Sequence, residues 1–329
     1  MAAPPWSWDG FLSQQEFSAL CRALFRNERG KPYPVDNSML TTIFSIFDTN
    51  KDNVIDKEEF RYCWQKWIKQ VVRPVTALVI VDVQNDFIDG SLSIRNCPAG
   101  QNGEEVIPPI NRLLEENRFD VVVYSLDWHP DTHVSFIDTV HLRPFHEDCK
   151  VAPEEAKVMD TVTFDVNKDG NAMEQKLWPR HCVQNTWGAK LHQDLRIAED
   201  AIFVYKGTDP DIDSYSAFWD NNKKSQTTLN EELKKRNITD VFICGIAYDV
   251  CVAATTKDAI AEGYRTMLVD NGCRGVCDSD MEATKEAITS INGLIVNSSQ
   301  VKGLATGRDR PPVLAYKLAL ELAKNKNKK

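Results

Sequence analysis

The sequence predicts two domains: a small helical domain over residues 1–72, and an α/β domain over residues 73–329 with a doubly wound, mostly parallel six-stranded sheet. The chain has 329 residues, enough for about two domains. Before residue 72 the apolar residues recur with helical spacing, whereas after Pro74 short β-branched runs alternate with helical segments. Continuously apolar strands are typical of a parallel sheet covered by helices on both faces.

Each predicted element follows from these patterns. Three helices are expected in the first domain, over Phe11–Phe25, Ser38–Phe47 and Lys57–Gln70. Six strands are expected in the second, over Thr76–Val83, Asp120–Leu126, Ala201–Lys206, Asp240–Ala247, Tyr264–Asp270 and Leu294–Asn297. The last residues, Lys324–Lys329, are rich in Lys and Asn and are expected to form a short disordered basic tail.

Composition and charge restrict the partners and the compartment. The net charge of −9 argues against nucleic acid or an anionic membrane as a partner, and no apolar run approaches the roughly 20 residues that span a bilayer. Nine cysteines, an odd number in a long chain, indicate reduced thiols. The N-terminus lacks a secretory signal. We therefore expect a cytoplasmic protein, with the nucleus as a second possible compartment. The sequence leaves open whether the protein forms a homo-oligomer.

Residues 48–59 match the twelve-residue calcium loop of an EF-hand, which supplies roughly six to eight oxygen ligands. Position six holds Asn53 instead of the usual Gly, and Asn tolerates the left-handed backbone needed there. The competing interpretation is a solvated acidic turn. The predicted calcium ligands are Asp48, Asn50, Asp52, the Val54 carbonyl, Asp56 (directly or through water) and Glu59.

EF-hands usually occur in pairs, and a partner can be drawn through Glu28–Met39 with Val35 opposite Ile55. That loop has no series of ligands, so we expect a degenerate hand that supports its neighbour without binding calcium. A second stretch, Asp165–Gly170, repeats the start of a calcium loop, but its twelfth position is Lys176. We expect that stretch to be a polar surface insertion.

Polar or nucleophilic side chains follow the ends of four predicted strands, at Asp82, Asp127, Lys206 and Cys251. In open parallel sheets, ligands bind beyond the carboxyl ends of the strands. Cys251 is expected in the first turn of a helix capped by Asp249, where the helix dipole and Lys206 would favour a thiolate. Asp82 could take the thiol proton. Each residue also has a purely structural interpretation, as a buried small hydrophobe, a cap or a surface ion pair.

A metal site is indicated by Asp127 and His129, whose side chains point the same way on an extended chain. His181 could be a third ligand. One Asp and two His leave open positions for water and substrate, as in a catalytic site. His133, in the following loop, could compete as a ligand, but we expect it to have a structural role.

Five motifs together resemble nicotinamidases of the isochorismatase-like cysteine hydrolase family. Their order and spacing match, and the likeness runs from about Val75 to about Val301. The attached EF-hand resembles the animal type of that enzyme. The motifs are Val81–Phe87, Asp127–Pro130 with His133, Trp178–Val183, Lys206–Thr208 and Ala247–Val252.

The resemblance implies an isochorismatase-like fold that hydrolyses nicotinamide to nicotinate and ammonia, a step of NAD salvage, through a cysteine thioester. It implies Cys251 as the nucleophile, Asp82 as the proton shuttle and Lys206 as the third catalytic residue. It also implies a divalent metal, usually zinc. The metal ligands that it implies are Asp127, His129 and His181.

Further details also follow only from the resemblance. It implies a cis peptide bond before Ala247, which turns the N–H groups of Ala247 and Cys251 toward a developing oxyanion. It assigns Phe87, Trp178 and Tyr215 as walls around the substrate ring, although aromatic side chains are also common core fillers. Two alternatives stay open: an amidohydrolase of the same superfamily with another substrate, and a calcium-binding interaction protein whose hydrolase domain is inactive.

Overall fold

The first part of the chain folds into helices around a short two-stranded sheet. The computed structural model describes residues 10–166 and 171–326. A π-helical turn over Trp64–Ile68 joins α3 to α4, so the third predicted helix is one continuous segment. The elements are β1 (Leu12–Ser13), α1 (Gln14–Leu24), α2 (Asn37–Phe47), β2 (Val54–Ile55), α3 (Lys57–Cys63) and α4 (Lys69–Val72).

Strand β2, inside the predicted calcium loop, pairs with β1 and not with the segment between α1 and α2. Leu12 lies opposite Ile55 in an antiparallel bridge. The expectation that Val35 faces Ile55 is therefore wrong. In the described part of the segment between α1 and α2, the β-bridge joins Arg26 to Pro32. The degenerate hand predicted over Glu28–Met39 is not the partner of the calcium loop, and β1 takes that place.

Six strands of the second part form one parallel sheet in the order β10-β9-β8-β3-β4-β7. All five pairings between these neighbours are parallel. Every predicted strand is therefore confirmed. The strands of this part are β3 (Thr76–Val81), β4 (Val121–Asp127), β5 (Thr161–Val166), β6 (Asn171–Lys176), β7 (Ile202–Lys206), β8 (Asp240–Ile246), β9 (Arg265–Arg274) and β10 (Leu294–Val296).

Helices cover the sheet and bury its central strands. All residues of β3 and of β8 are buried, as expected for continuously apolar strands. Among the described helices, none is both long and apolar enough to cross a membrane. The helices of this part are α5 (Asn85–Ile88), α6 (Ile107–Glu116), α7 (Leu229–Lys235), α8 (Ala253–Ala261), α9 (Asp278–Ser290), α10 (Ser298–Ala305) and α11 (Pro312–Lys326).

The insertion between β4 and β7 contains an antiparallel hairpin, β5–β6, in which Thr161 pairs with Lys176. A small separate core supports the hairpin, and it includes Val134, Val162, Phe164 and Leu177. Of the polar insertion expected at Asp165–Gly170, Asp165 and Val166 are the last residues of β5, and residues 167–170 lie outside the described residues.

The last helix of the chain completes the core of the first helices. Ala315, Leu318 and Ala319 of α11 belong to the same buried cluster as the aromatic residues of α1 and α2. The indole N–H of Trp67 donates a 2.7 Å hydrogen bond to the carbonyl of Ala315. The domain predicted over residues 73–329 therefore contributes a helix to the core of the domain predicted over residues 1–72.

The predicted disordered tail is wrong for its first three residues, because α11 continues through Lys326. The ammonium of Lys324 pairs with Glu321 at 2.9 Å. The ammonium of Lys326 lies 4.3 Å from the ring centroid of Tyr62 and donates to the Ile46 carbonyl. These contacts hold the last turn against the helical domain. Residues 327–329 lie outside the described residues.

The helical domain meets the amino-terminal edge of the sheet. Helix α4 leads directly into β3, and Arg265, at the start of β9, donates a 2.7 Å hydrogen bond to the Gln70 carbonyl. Arg265 also forms a buried ion pair with Asp240, at the start of β8. The carboxyl ends of the strands, where the predicted site residues lie, are at the opposite edge.

Candidate active site

Cys251 lies beyond the carboxyl end of β8, in a buried π-helical turn over Tyr248–Val252 that continues into α8. Its position in the first turn is the predicted one. Asp249 does not cap this turn, contrary to our expectation, because its carboxylate accepts hydrogen bonds from the backbone N–H groups of Val276 and Cys277, both at 2.8 Å. Ala247 occupies the cap position.

Lys206, the last residue of β7, connects the predicted catalytic side chains. Its buried ammonium lies 3.4 Å from the Cys251 sulfur and 2.9 Å from Asp82 Oδ2. It also contacts the carboxylate of Asp127 and donates to the Ser214 carbonyl at 2.9 Å. The parallel sheet therefore brings together the three side chains that the sequence placed on separate strands.

Asp82 is completely buried in the turn after β3, with a left-handed φ of 50°. Its backbone N–H donates to the Ser125 carbonyl, and Ser125 Oγ donates a 2.7 Å hydrogen bond to Asp82 Oδ1. Sequence analysis missed Ser125. The available signal was a hydroxyl inside an otherwise apolar buried strand, two residues before Asp127.

The electrostatics of this group favour a protonated resting thiol. Burial raises the pKa of the Cys251 thiol well above its ordinary value; Lys206 opposes this, while Asp82 and Asp127 add to it. The net direction is opposite to the one expected from the helix dipole and Lys206 alone. Burial also raises the pKa of Asp82, against the opposing effect of Lys206. A carboxylate oxygen of Asp82 lies within 4.8 Å of the sulfur, so the acid is placed to exchange a proton with it.

The three predicted metal ligands lie together beside the thiol. The ligand atoms of Asp127, His129 and His181 are buried and within 4.8 Å of one another. The Nδ1 atoms of His129 and His181 lie 2.8 and 2.7 Å from the carbonyls of Gly207 and Pro179. These bonds place the proton on Nδ1 and leave Nε2 of each ring, at 3.5 and 3.8 Å from Asp127 Oδ2, available to a metal.

The environment of this cluster keeps its carboxylate charged. Burial opposes ionisation of Asp127, but Lys206 and His129 together hold the pKa of its carboxyl well below the usual value. The ring of His133 stacks on His129 with centroids 3.9 Å apart, and its Nδ1 bonds to Ser135 Oγ. The ligand atom of His133 also lies within 4.8 Å of those of His129 and Asp213, so this position fits both the structural role and the competing ligand role considered for it.

Gly207 is required for the packing of His129. Its φ is +63°, and a Cβ there would lie 2.3 Å from Cε1 of the His129 ring. Because only glycine leaves this space free, the backbone after Lys206 can approach the imidazole closely enough for the Gly207 carbonyl to accept a hydrogen bond from His129 Nδ1.

A chamber between the sulfur and the metal cluster is lined by Phe87 and Trp178, as predicted for ring walls. Tyr215 lies outside the chamber, in a neighbouring cavity, where its hydroxyl accepts a 3.4 Å hydrogen bond from the Trp178 indole. Tyr215 therefore supports a wall instead of forming one. Ala247 and Cys251 also line the chamber, and the Ile246–Ala247 peptide bond is cis, as the resemblance implies.

Two further residues at the site were missed by sequence analysis. The Gln84 side chain accepts from the Asp127 N–H and donates to the Asp127 carbonyl, both at 2.8 Å, which positions that ligand. Asp213 lines the chamber and accepts a 2.9 Å hydrogen bond from Gln175 at the end of the hairpin. Gln84 could have been found from its place two residues after Asp82, but no spacing in the sequence marked Asp213.

The predicted calcium loop has a buried carboxylate at each end, and that of Glu59 accepts hydrogen bonds from the backbone N–H groups of Thr49, Asn50 and Asp56. Asp48 and Glu59 are buried, and among the described residues Asp48 Oδ1 has no hydrogen-bond partner. Asn53 has the expected left-handed φ, 69°, and its N–H donates to Asp48 Oδ2 at 3.1 Å. A buried carboxylate oxygen without a donor suits a bound cation.

The other predicted ligands surround the same loop. The Asn50 amide donates to Asp52 Oδ2 at 2.9 Å, which brings these two exposed side chains together. Asp56 caps α3 by accepting from the N–H groups of Glu58 and Glu59. Val54, whose carbonyl is the remaining predicted ligand, lies in β2 opposite Ser13 of β1.

Comparison with known proteins accounts for the larger domain. The family model described as "Isochorismatase domain" matches residues 76–300, more than half of the chain. The chain belongs to the isochorismatase family. An EF-hand model matches residues 41–63. The isochorismatase match includes every predicted catalytic and metal-binding residue, and it leaves the calcium loop and α11 outside.

Individual relatives agree with the family match. Over 205 residues the chain is 36% identical to the nicotinamidase of Escherichia coli K12, covering 62% of this chain and 84% of that protein. A solved Acinetobacter nicotinamidase/pyrazinamidase is 33% identical, with a TM-score of 0.58 over 69% of this chain and 98% of that one. The pyrazinamidase of Pyrococcus horikoshii, solved in complex with zinc, is 30% identical with a TM-score of 0.50 over 68% and 99%.

Proposed function

We propose that this protein is a nicotinamidase, which hydrolyses nicotinamide to nicotinate and ammonia. The observation that carries the proposal is the convergence of the Cys251 sulfur, the Lys206 ammonium and the Asp82 carboxyl beside one Asp and two His side chains. The names of the similar proteins support it, since the curated Escherichia coli relative and the solved Acinetobacter relative are both nicotinamidases.

The first half-reaction forms a thioester. Asp82, whose carboxylate lies within 4.8 Å of the sulfur and whose pKa is raised by burial, takes the proton of the Cys251 thiol as the sulfur attacks the amide carbon. Lys206 balances the charge that passes between sulfur and carboxylate. The N–H groups of Ala247 and Cys251 stabilise the oxyanion; losing one such donor typically costs about 10²–10³ in rate.

The second half-reaction regenerates the thiol. Once Asp82 has given its proton to the departing nitrogen, the C–N bond breaks, ammonia leaves and the thioester of the first half-reaction is complete. Asp82 then accepts a proton from water as that water attacks the thioester. Cys251 leaves as the thiolate and is reprotonated. The complete burial of Asp82 restricts this proton exchange to groups inside the chamber.

We propose zinc as the metal held by Asp127, His129 and His181. The donor set, an ionised carboxylate and two imidazole Nε2 atoms, suits zinc. In each imidazole, Nδ1 donates a hydrogen bond to a backbone carbonyl, which leaves Nε2 free to bind the metal. A bound zinc ion would supply a Lewis acid that orients the pyridine ring. Phe87 and Trp178 enclose the ring between the metal cluster and the thiol.

The deciding experiment measures ammonia release from nicotinamide by the purified chain. We expect turnover in the wild type and in Cys149→Ala, whose half-buried thiol lies away from the site, and none above background in Cys251→Ala. Retention of substantial activity by Cys251→Ala would refute the assignment of Cys251 as the nucleophile. In a panel with benzamide and pyrazinamide, faster turnover of another amide would favour a different amidohydrolase. No deamidation at all would favour an inactive calcium-binding protein.

We also propose Ca²⁺ as the occupant of residues 48–59, because the unpartnered Asp48 oxygen and the nearby Glu59 match a site for a hard cation with oxygen ligands. A cytosolic location, with the nucleus as the alternative, is supported by nine cysteines that are all free thiols. Nicotinamide is the partner that we propose. The negative net charge gives no reason to add nucleic acid or an anionic membrane.

A further inference from the structure

The catalytic chamber adjoins a larger outer cavity of about 620 Å³. Trp178, Val250 and Val276 line both spaces, so the two spaces adjoin at these side chains, and we treat this junction as the passage between them. A substrate or product that takes this route passes the Trp178 ring. Volumes of this size are typical of cavities that bind small molecules.

A lysine without a counter-charge lies at this passage. Lys176 is half-buried, its ammonium is 5.0 Å from the centroid of the Trp178 ring, and no carboxylate among the described residues is within ion-pair distance of it. By contrast, Lys223 in the same cavity is paired with Asp258 at 2.5 Å, and Lys257 is exposed on α8.

Acidic side chains also line the outer cavity. Asp249 and Asp280 are in its wall together with Lys176. Burial raises the pKa of the Cys97 thiol, Asp249 raises it further and Lys176 lowers it. Among these charged groups, the Lys176 ammonium is the one placed over the Trp178 ring.

The hairpin holds Lys176 in this position. Lys176 is the last residue of β6 and pairs with Thr161 across the hairpin. The preceding side chain, Gln175, is buried and donates to Asp213 in the chamber wall and to the Lys176 carbonyl. The backbone of Lys176 is thus held by the hairpin on one side and, through Gln175, by the chamber wall on the other.

The proposed reaction changes the charge of its ligand, since a neutral aromatic amide becomes an aromatic carboxylate. A cation at the passage distinguishes the two by Coulomb attraction to the product alone. We propose that Lys176 and Trp178 form an outer subsite for the carboxylate and ring of the aromatic acid product. This inference rests on the proposed nicotinamidase function.

Occupation of the subsite has a kinetic consequence. An aromatic acid bound against Trp178 blocks the passage, so it competes with the entry of the amide. The protein is therefore inhibited by its own product and by related aromatic carboxylates, and the strength of inhibition depends on Lys176 and on ionic strength.

The test compares nicotinate inhibition with nicotinamide turnover in the full-length, metal-loaded protein. In Lys176→Met, we expect the ratio of the nicotinate Ki to the nicotinamide KM to rise about fivefold, the value of a partly exposed ion pair. Lys176→Arg keeps the charge and should keep the wild-type ratio. Lys257→Met removes the exposed lysine of the same cavity and is the matched control.

Binding of benzoate to Cys251→Ala, measured by calorimetry, isolates the subsite because benzoate lacks the ring nitrogen. We expect Lys176→Met to weaken this binding about fivefold. The subsite proposal would be overturned if the ratio of the nicotinate Ki to the nicotinamide KM were the same in wild type and Lys176→Met, or if the wild-type nicotinate Ki did not change with salt. Either result would leave the proposed function intact. Absence of turnover in the wild type would instead refute the proposed function itself.

Discussion

At the scale of single residues, the site depends on charges buried next to one another. Asp82 and Asp127 are both buried, and Lys206 contacts both. A buried charge is tolerated only when it is paired and hydrogen-bonded. Because one ammonium faces two carboxylates, a divalent ion at Asp127 would complete the balance.

Asp82→Asn should leave the fold intact but lower kcat by about 10²–10⁴, since the amide retains the size of the acid and loses its proton exchange. Steady-state ammonia release measures this. Asp89→Asn, at a half-exposed acid after α5, is the control and should keep wild-type kcat. An Asp82→Asn protein with more than a tenth of wild-type kcat would contradict the proton-shuttle role.

Gly207→Ala should reduce the zinc retained per chain, because the new methyl group would overlap His129 and move its ring. Metal analysis after dialysis measures the loss. Gly263→Ala is the matched control: Gly263 also has a positive φ, +97°, but its Cβ would meet only Glu321 at 3.6 Å. If both variants retained the same zinc, the close approach at His129 would not matter for metal binding.

At the scale of elements, the last helix is structurally part of the first domain. Helix α11 supplies buried side chains to the cluster around Trp67, and its last turn contacts Tyr62. The sequence of α11 offered no sign of its partner, because an amphipathic helix at the end of a chain can pack on any apolar surface. We propose that the two domains unfold together for this reason.

Leu318→Ala should lower the free energy of unfolding by about 2–4 kcal/mol, the usual cost of a cavity left by a buried leucine. Urea denaturation measures the change. Leu142→Ala, at a half-exposed leucine, should stay within about 0.5 kcal/mol of wild type. A small effect at Leu318 would mean that α11 contributes little to the helical core.

At the scale of the whole molecule, the helical domain that carries the calcium loop contacts the amino-terminal ends of the strands, and the chamber lies beyond their carboxyl ends. Helix α4 joins the amino-terminal edge, while Asp82 and Lys206 follow the carboxyl ends of β3 and β7. Strand β3 alone spans about 20 Å. The arrangement favours a structural over a switching role for calcium.

Calcium should therefore stabilise the protein without changing kcat/KM. At a free concentration about 100 times the Kd, the expected gain in the free energy of unfolding is about 2.7 kcal/mol. Thermal unfolding and turnover, each with and without Ca²⁺, provide the measurement. Glu59→Gln should abolish the gain, whereas its exposed neighbour Glu58→Gln should not. A change of several-fold in kcat/KM on adding Ca²⁺ would favour a regulatory role.

Much of the molecule could be predicted from local patterns. The six strands, the calcium loop and the approximate places of Cys251, Lys206 and Asp82 followed from periodicity and motif spacing, because strand ends in a parallel sheet share one edge. Asp249 was misread as a cap because the loop carrying Val276 and Cys277 donates to it, a contact from a distant part of the chain.

The sequence by itself determined the strand pattern and the chemical types at the site, since these depend on neighbours along the chain. Only the tertiary structure decided that Leu12 and not Val35 faces Ile55, that α11 closes the helical core, that Asp213 borders the chamber and that Lys176 borders the outer cavity. The physical reason is that such contacts join segments far apart in sequence, whose packing is selected by the shape and burial of the whole fold.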